Sequence, residues 1–204
     1  MKITAHNLRK DFAEKTIFKD LSFEAESGQC LAVLGPNGSG KTTLLRVMAN
    51  LTRPTYGDLH FLNNGEEIRS DLLYREIGFL GPYIELYQDL SAQENLDFFS
   101  RIRGLNDASS RITELMETFG LSGREDDAVK TYSSGMKQRL KYVFALLHQP
   151  QILFVDEPRS NLDKNGIQTV YDVLNEYKKE HLLIMATNDK EDLKLADLTV
   201  TVNV

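Results

Sequence analysis

Residues 35–42 read GPNGSGKT, the spacing G-x-x-x-x-G-K-[ST] of a phosphate-binding loop. Gly35, Gly38 and Gly40 let the backbone turn sharply, so that successive N–H groups and the start of the following helix point at negative charge. Pro36, Asn37 and Ser39 complete the loop. Lys41 offers a point charge to β and γ phosphates, Thr42 a hydroxyl to Mg²⁺, and Thr43 a hydroxyl or N–H to an α phosphate. A second chemical segment is ILFVDEP, residues 152–158. Its apolar run delivers Asp156 and Glu157 at the carboxyl end of a strand, the edge at which open α/β sheets bind ligands. Asp156 suits Mg²⁺ through its water shell, and Glu157 is placed to polarise an attacking water. Lys41 and Glu157 are the catalytic candidates, and Thr42 and Asp156 the metal-holding ones.

These side chains must be carried by particular elements. Leu31–Leu34, Ile152–Val155 and Leu182–Ala186 are short uninterrupted apolar runs bounded by Gly, Pro, Asn or Asp, which suits parallel strands covered on both faces. The strand CLAVL precedes the glycine-rich loop and the helix TTLLRVMAN follows it. Ile167, Val170, Tyr171, Leu174 and Tyr177 form one apolar helical stripe. Strands alternating with helices predict an α/β fold. Residues 1–30 and 57–80 depart from this alternation and read as an antiparallel flank. Residues 91–148 read as helical: Ser91 with Glu94 is a capping-box pattern, Gly104 closes that helix, and Ile112, Leu115, Met116 and Phe119 form a second stripe ended by Gly120.

The totals bound the answer. With 204 residues the chain has one sizeable core, and its net charge of -6 argues against general binding to a nucleic-acid backbone. Its longest apolar runs, such as Tyr142–Leu147, fall far short of the roughly 18 residues needed to cross a bilayer. The N-terminal MKITAHNLRK lacks the pattern of a secretory signal, and the single Cys30 sits in an apolar run as a core residue. A cytoplasmic location is the expectation. The acidic cluster Glu125–Asp127 reads as solvated surface.

The segment YSSGMKQRL, residues 132–140, resembles the signature LSGGQxQR of ABC transporter ATPase subunits, with Tyr132, Ser134 and Met136 as variants. The resemblance covers essentially the whole chain. It implies a P-loop NTPase core, a RecA-like parallel sheet with helices on both faces, joined by an antiparallel β flank and a helical subdomain. It divides the single domain into residues 1–81 and 149–204, core plus flank, and 82–148, the helical subdomain. ATP and Mg²⁺ are the implied cofactors. Ser133 and Gly135 stand where the family contacts the γ phosphate of ATP held by an opposing subunit, although a Ser-Ser-Gly turn is also an ordinary helix cap. Ser160–Asp163, SNLD, resembles the D-loop, and Phe12 takes the place of the aromatic that stacks on adenine.

Two departures stand out. Pro82 occupies the place of a glutamine that reaches the metal and the attacking water. Gln88, six residues on, is the nearest candidate to replace it, and a surface role is its plainer reading. Asn188 stands in place of the switch histidine that contacts the γ phosphate, and it cannot carry positive charge. The resemblance implies a dimer closing around two ATP molecules, coupled to a separate transmembrane permease subunit through residues 82–90, with the ATPase peripheral at the cytoplasmic face. Its compact pattern is similar to haem-exporter ATPases of cytochrome c maturation. Two other readings are an ATP-gated regulatory module with little hydrolysis, motivated by the departures, and an ABC ATPase of DNA repair or translation, which the length and acidic balance disfavour.

Overall fold

The computed structural model describes residues 1–202; the last two residues of the segment 149–204 lie outside it. The chain forms two sheets. β1 (Lys2–Phe12) pairs antiparallel with β2 (Lys15–Glu26) and β4 (Tyr56–Asn63), and the two-residue β5 (Glu66–Glu67) extends β4. The second sheet is parallel, in the order β6 (Ile77–Leu80), β7 (Ile152–Asp156), β8 (Leu182–Thr187), β3 (Cys30–Leu34), β9 (Leu198–Thr201). This is the expected α/β architecture with an antiparallel flank.

Burial on both faces explains the uninterrupted apolar runs. Every residue of β7 and β8 is buried. Along β7, Ile152 and Phe154 pack with α1 (Lys41–Met48) and the antiparallel sheet, through Leu44, Leu45, Met48, Ile3 and Phe18. Leu153 and Val155 face the other way, into α4 (Ser134–Leu146) and α5 (Lys164–Tyr177), through Leu140, Tyr142, Val170 and Leu174. A strand with water on neither side has no polar positions to alternate. The free Cys30 is fully buried in this layer, and burial pushes its thiol up to about 12, so it behaves as a small core residue.

One expectation needs correction. Residues 57–80 are not all flank: Ile77–Leu80 pairs parallel with Ile152–Val155 as the edge of the central sheet. The run IGFL carries no polar alternation, which is the mark of a doubly covered strand. Residues 91–148 hold the expected separate helices, α2 (Ala92–Arg103) and α3 (Ser109–Thr118), followed by a 3₁₀ turn at Val129–Thr131 and α4. The local signals hold: Ser91 and Glu94 form a reciprocal capping box, and Gly104 ends α2 in the left-handed region at φ 69°. None of the helices among the described residues is long and apolar enough to cross a membrane.

Candidate functional site

Parallel pairing brings the chemical residues together. Leu34 lies beside Thr187, Asp156 beside Ala186, and Leu80 beside Val155, so four carboxyl ends of strands open on one edge of the sheet. The loop after β3 carries residues 35–40, the end of β7 carries Asp156 and Glu157, the loop after β8 carries Asn188, and the loop after β6 carries Pro82.

The glycine-rich loop runs directly into α1. Gly40 caps the helix in the left-handed region at φ 105°, without a side-chain hydrogen bond. A Cβ there would lie 2.3 Å from Ile17 Cγ2, so only glycine lets the loop pass beneath β2. The first N–H groups of α1 are thus left to an external anion rather than to a cap. A concavity of about 290 Å³ is lined by Asn37, Gly38, Gly40, Lys41, Thr42, Thr43, Asp156 and Glu157. Lys41 Nζ donates to the carbonyls of Gly35 at 2.9 Å and Pro36 at 3.1 Å, which holds the ammonium inside the loop. Ser39 is buried beneath Gly35, and a Cβ on Gly35 would meet its Oγ at 2.5 Å.

Thr42 Oγ1 donates to Asp156 Oδ2 at 2.5 Å, across 114 residues of sequence. Burial raises the Asp156 carboxyl above the usual carboxylate range; the Thr42 hydrogen bond lowers it, the charge of Glu157 raises it further, and Lys41 lowers it. A hydroxyl and a carboxylate in contact form a hard oxygen donor pair suited to Mg²⁺. Among the described residues no group of three or more His, Cys, Asp or Glu could hold a metal, so a cation here would draw its other ligands from phosphate oxygens and water. Glu157 follows at φ 54°, its N–H donating to Ala186 O at 2.9 Å, and this left-handed turn leaves its side chain exposed at the cleft.

The remaining candidates fall into three positions. Asn188 Nδ2 donates to Asn37 Oδ1 at 2.9 Å, which sets it against the phosphate loop. Phe12 ends β1 and is 50% exposed, with Lys10 Nζ 4.8 Å from its ring centroid. It belongs to the β1–β2 hairpin, whose Ile17 touches Gly40. Ser133 and Gly135 lie at the start of α4, where Ser133 Oγ accepts from the Met136 N–H at 3.2 Å. Neither lines the cavity at the phosphate loop. A Cβ on Gly135 would lie 3.2 Å from Asn161 O, so the SNLD segment packs against the signature within one chain. Gln88 does not enter the site: its Nε2 donates to Leu86 O at 3.1 Å and its Oε1 accepts from Lys137 at 2.8 Å.

A second cleft of about 340 Å³ adjoins the first and is lined by Thr42, Gly81, Pro82, Asp156 and Glu157 together with Gln138, Lys141, Ser160 and Asn161. Gln138 and Lys141 were not among the sequence candidates. Two signals pointed to Gln138: it stands at the second glutamine of the LSGGQxQR pattern, and it is in register at i, i+4 and i+7 with Tyr142 and Ala145, placing an amide on the apolar stripe of α4.

A family model described as ABC transporter matches residues 18–160. The chain is 36% identical over 192 residues to the uncharacterized ABC transporter ATP-binding protein YxlF of Bacillus subtilis (strain 168), covering 93% of this chain and 63% of that one. The chain therefore spans about three-fifths of that relative. It is 34% identical over 182 residues to the lantibiotic transport ATP-binding protein SrtF of Streptococcus pyogenes, covering 89% and 77% of the two chains. A solved structure of an ATP binding subunit of an ABC transporter superposes with a TM-score of 0.88 at 24% identity, over 100% of this chain and 86% of that chain, and shows the same fold. With this match over most of its length, the chain belongs to the ABC transporter family as an ATP-binding subunit.

Proposed function

We propose that the chain binds and hydrolyses Mg-ATP, and that two subunits close around two nucleotides to drive a separate transmembrane permease, as an exporter. The observation that carries hydrolysis is the contact between Thr42 and Asp156, with Glu157 next in the chain and Lys41 held in the loop. Thr42 and Asp156 would hold Mg²⁺, which neutralises charge on the β and γ phosphates. The N–H groups at the start of α1 and the Lys41 ammonium bind the phosphates, Glu157 accepts a proton from the attacking water, and Phe12 stacks on the base. Ser133 and Gly135 do not line the cavity at this chain's own phosphate loop, which suits contact with a nucleotide held by a second subunit. ATP bridging both subunits favours the closed dimer, and its loss on hydrolysis reopens it.

Export is supported by SrtF, which is named for lantibiotic transport. Haem export, suggested by the compact pattern, draws no support from the relatives described above. The subunit would sit at the cytoplasmic face through its permease, contacted by residues 82–90.

Glu157→Gln tests the reading: ATP affinity should stay within about threefold of the parent, phosphate release should fall by at least about a hundredfold, and a dimer should accumulate in light scattering with Mg-ATP. Unchanged phosphate release in Glu157→Gln would remove Glu157 from the mechanism. A regulatory module with little hydrolysis is the second reading, favoured by Pro82 and by the pairing of Asn188 with Asn37. Asn188→His separates the two. A gain in phosphate release supports weakened γ-phosphate sensing, and no gain shows that Asn188 is not what limits turnover.

A further inference from the structure

The cleft beside Asp156 and Glu157 lacks a polar group on the wall formed by Pro82, whose side chain has neither donor nor acceptor. The obvious substitutes are occupied. Gln88 is bound to Leu86 and Lys137, the Asn188 amide donates to Asn37, and the Asn161 amide donates to Ser160 Oγ.

One amide remains. Gln138 is only 8% exposed, and its side chain makes no hydrogen bond among the described residues, yet it lines the same cleft as Thr42, Asp156 and Glu157. The residue is largely covered while its carboxamide opens on the cleft, so the amide is free to bond a group that enters there. Tyr142, one turn further along α4, is fully buried and donates from its hydroxyl to Pro158 O at 2.9 Å, which anchors the helix to the segment just after Glu157. Gln138 is thereby held at a fixed position relative to the Glu157 turn.

We propose that Gln138 supplies, from α4, the carboxamide that Pro82 cannot, hydrogen-bonding the water that Glu157 activates against the γ phosphate. This rests on the hydrolytic reading above. In the ground state the Gln138 carbonyl accepts from the water, fixing its orientation while Glu157 takes the other proton. The bond from the water oxygen to phosphorus forms as the bond to the ADP oxygen breaks.

The test uses the full chain with Mg-ATP. Gln138→Leu keeps the volume and removes the amide, so kcat should fall by about tenfold to a hundredfold while ATP affinity stays within about twofold. Binding of ADP with aluminium fluoride, which mimics the transferring phosphoryl group, should weaken in parallel with kcat. The double variant Gln138→Leu with Pro82→Gln restores an amide to the same cleft from residue 82 and should recover most of the lost rate. A purely structural role would lower the melting temperature and would not be rescued from residue 82. An unchanged kcat in folded Gln138→Leu, or a loss that Pro82→Gln leaves untouched, overturns the proposal while hydrolysis by the parent stands. No phosphate release from the parent itself overturns the hydrolytic reading and this proposal with it.

Discussion

Arg159 Nη1 donates to Asp189 Oδ2 at 2.6 Å, joining the turn that follows Glu157 to the turn that holds Asn188. Asp189 is further fixed because its N–H donates to Thr187 Oγ1 at 2.9 Å and its Oδ1 accepts from the Glu191 N–H at 2.8 Å. Beneath them the buried Asp192 accepts from Thr187 and from Tyr171. The ion pair is 30% and 42% exposed, so solvent screening limits its worth to stability to about 1 kcal/mol or less. Its consequence is positional. Arg159→Ala should lower kcat by about threefold to tenfold with ATP affinity unchanged, and shift the melting temperature by no more than about 4 °C. Arg159→Asp combined with Asp189→Arg should recover part of the rate. Steady-state kinetics on the three proteins checks this, and equal rates for parent and Arg159→Ala would show that the pair does not position the site.

Phe12 presents a half-exposed ring at the end of β1, beside the hairpin that touches Gly40. Stacking of a base on such a ring is worth about 1–3 kcal/mol. Phe12→Ala should therefore weaken ATP binding about tenfold or more, and Phe12→Tyr should bind as the parent does. Titration with a fluorescent ATP analogue measures both, and equal affinity for Phe12→Ala would make Phe12 a surface aromatic only.

Ser91 Oγ accepts from the Glu94 N–H at 3.1 Å while Glu94 Oε2 accepts from the Ser91 N–H at 2.7 Å. Losing such a cap costs about 1 kcal/mol. Ser91→Ala should lower the melting temperature by about 2–4 °C without changing nucleotide affinity. Calorimetry with and without ATP distinguishes this from a change at the site.

His148 Nε2 lies 2.9 Å from Ile77 O, and its Nδ1 is buried without a partner among the described residues. Burial, reinforced by the charge of Arg103, holds the imidazole down to about 4 from an ordinary 6.5, and the bond to Ile77 opposes the shift. The unfolded chain takes up this proton near 6.5 and the native chain only near 4. Between those values the unfolded state binds more protons, so the contribution is fully present above 6.5 and is lost as pH falls toward 4. His148→Gln keeps a donor for Ile77 and removes the titration. Its melting temperature should fall less steeply over that interval than the parent's, and parallel curves would assign the acid sensitivity elsewhere.

Much of the site was legible because its chemistry is local in sequence. GPNGSGKT needs glycines at fixed offsets from Lys41, and ILFVDEP needs an apolar strand ahead of its carboxylates, so each segment announces its own conformation. The caps at Ser91 and Gly104 are equally local, since a helix end is satisfied within one turn. Ile77–Leu80 was misassigned to the flank because four apolar residues say that a strand is covered without saying by what.

By itself the sequence determined which residues could bind phosphate and activate water, and that a doubly covered sheet would carry them. Tertiary structure decided which of them meet. The contact of Thr42 with Asp156 spans 114 residues, and Arg159 reaches Asp189 across 30. The parallel register of β6, β7, β8 and β3 creates these contacts by aligning strand ends that are remote in the chain. Gln138 illustrates the same division: its helix and its buried stripe follow from local spacing, whereas its place in one cleft with Pro82 and Glu157 depends on how α4 docks against the sheet. A side chain's period is written along its own helix, but its partners come from packing between elements, which no local pattern encodes.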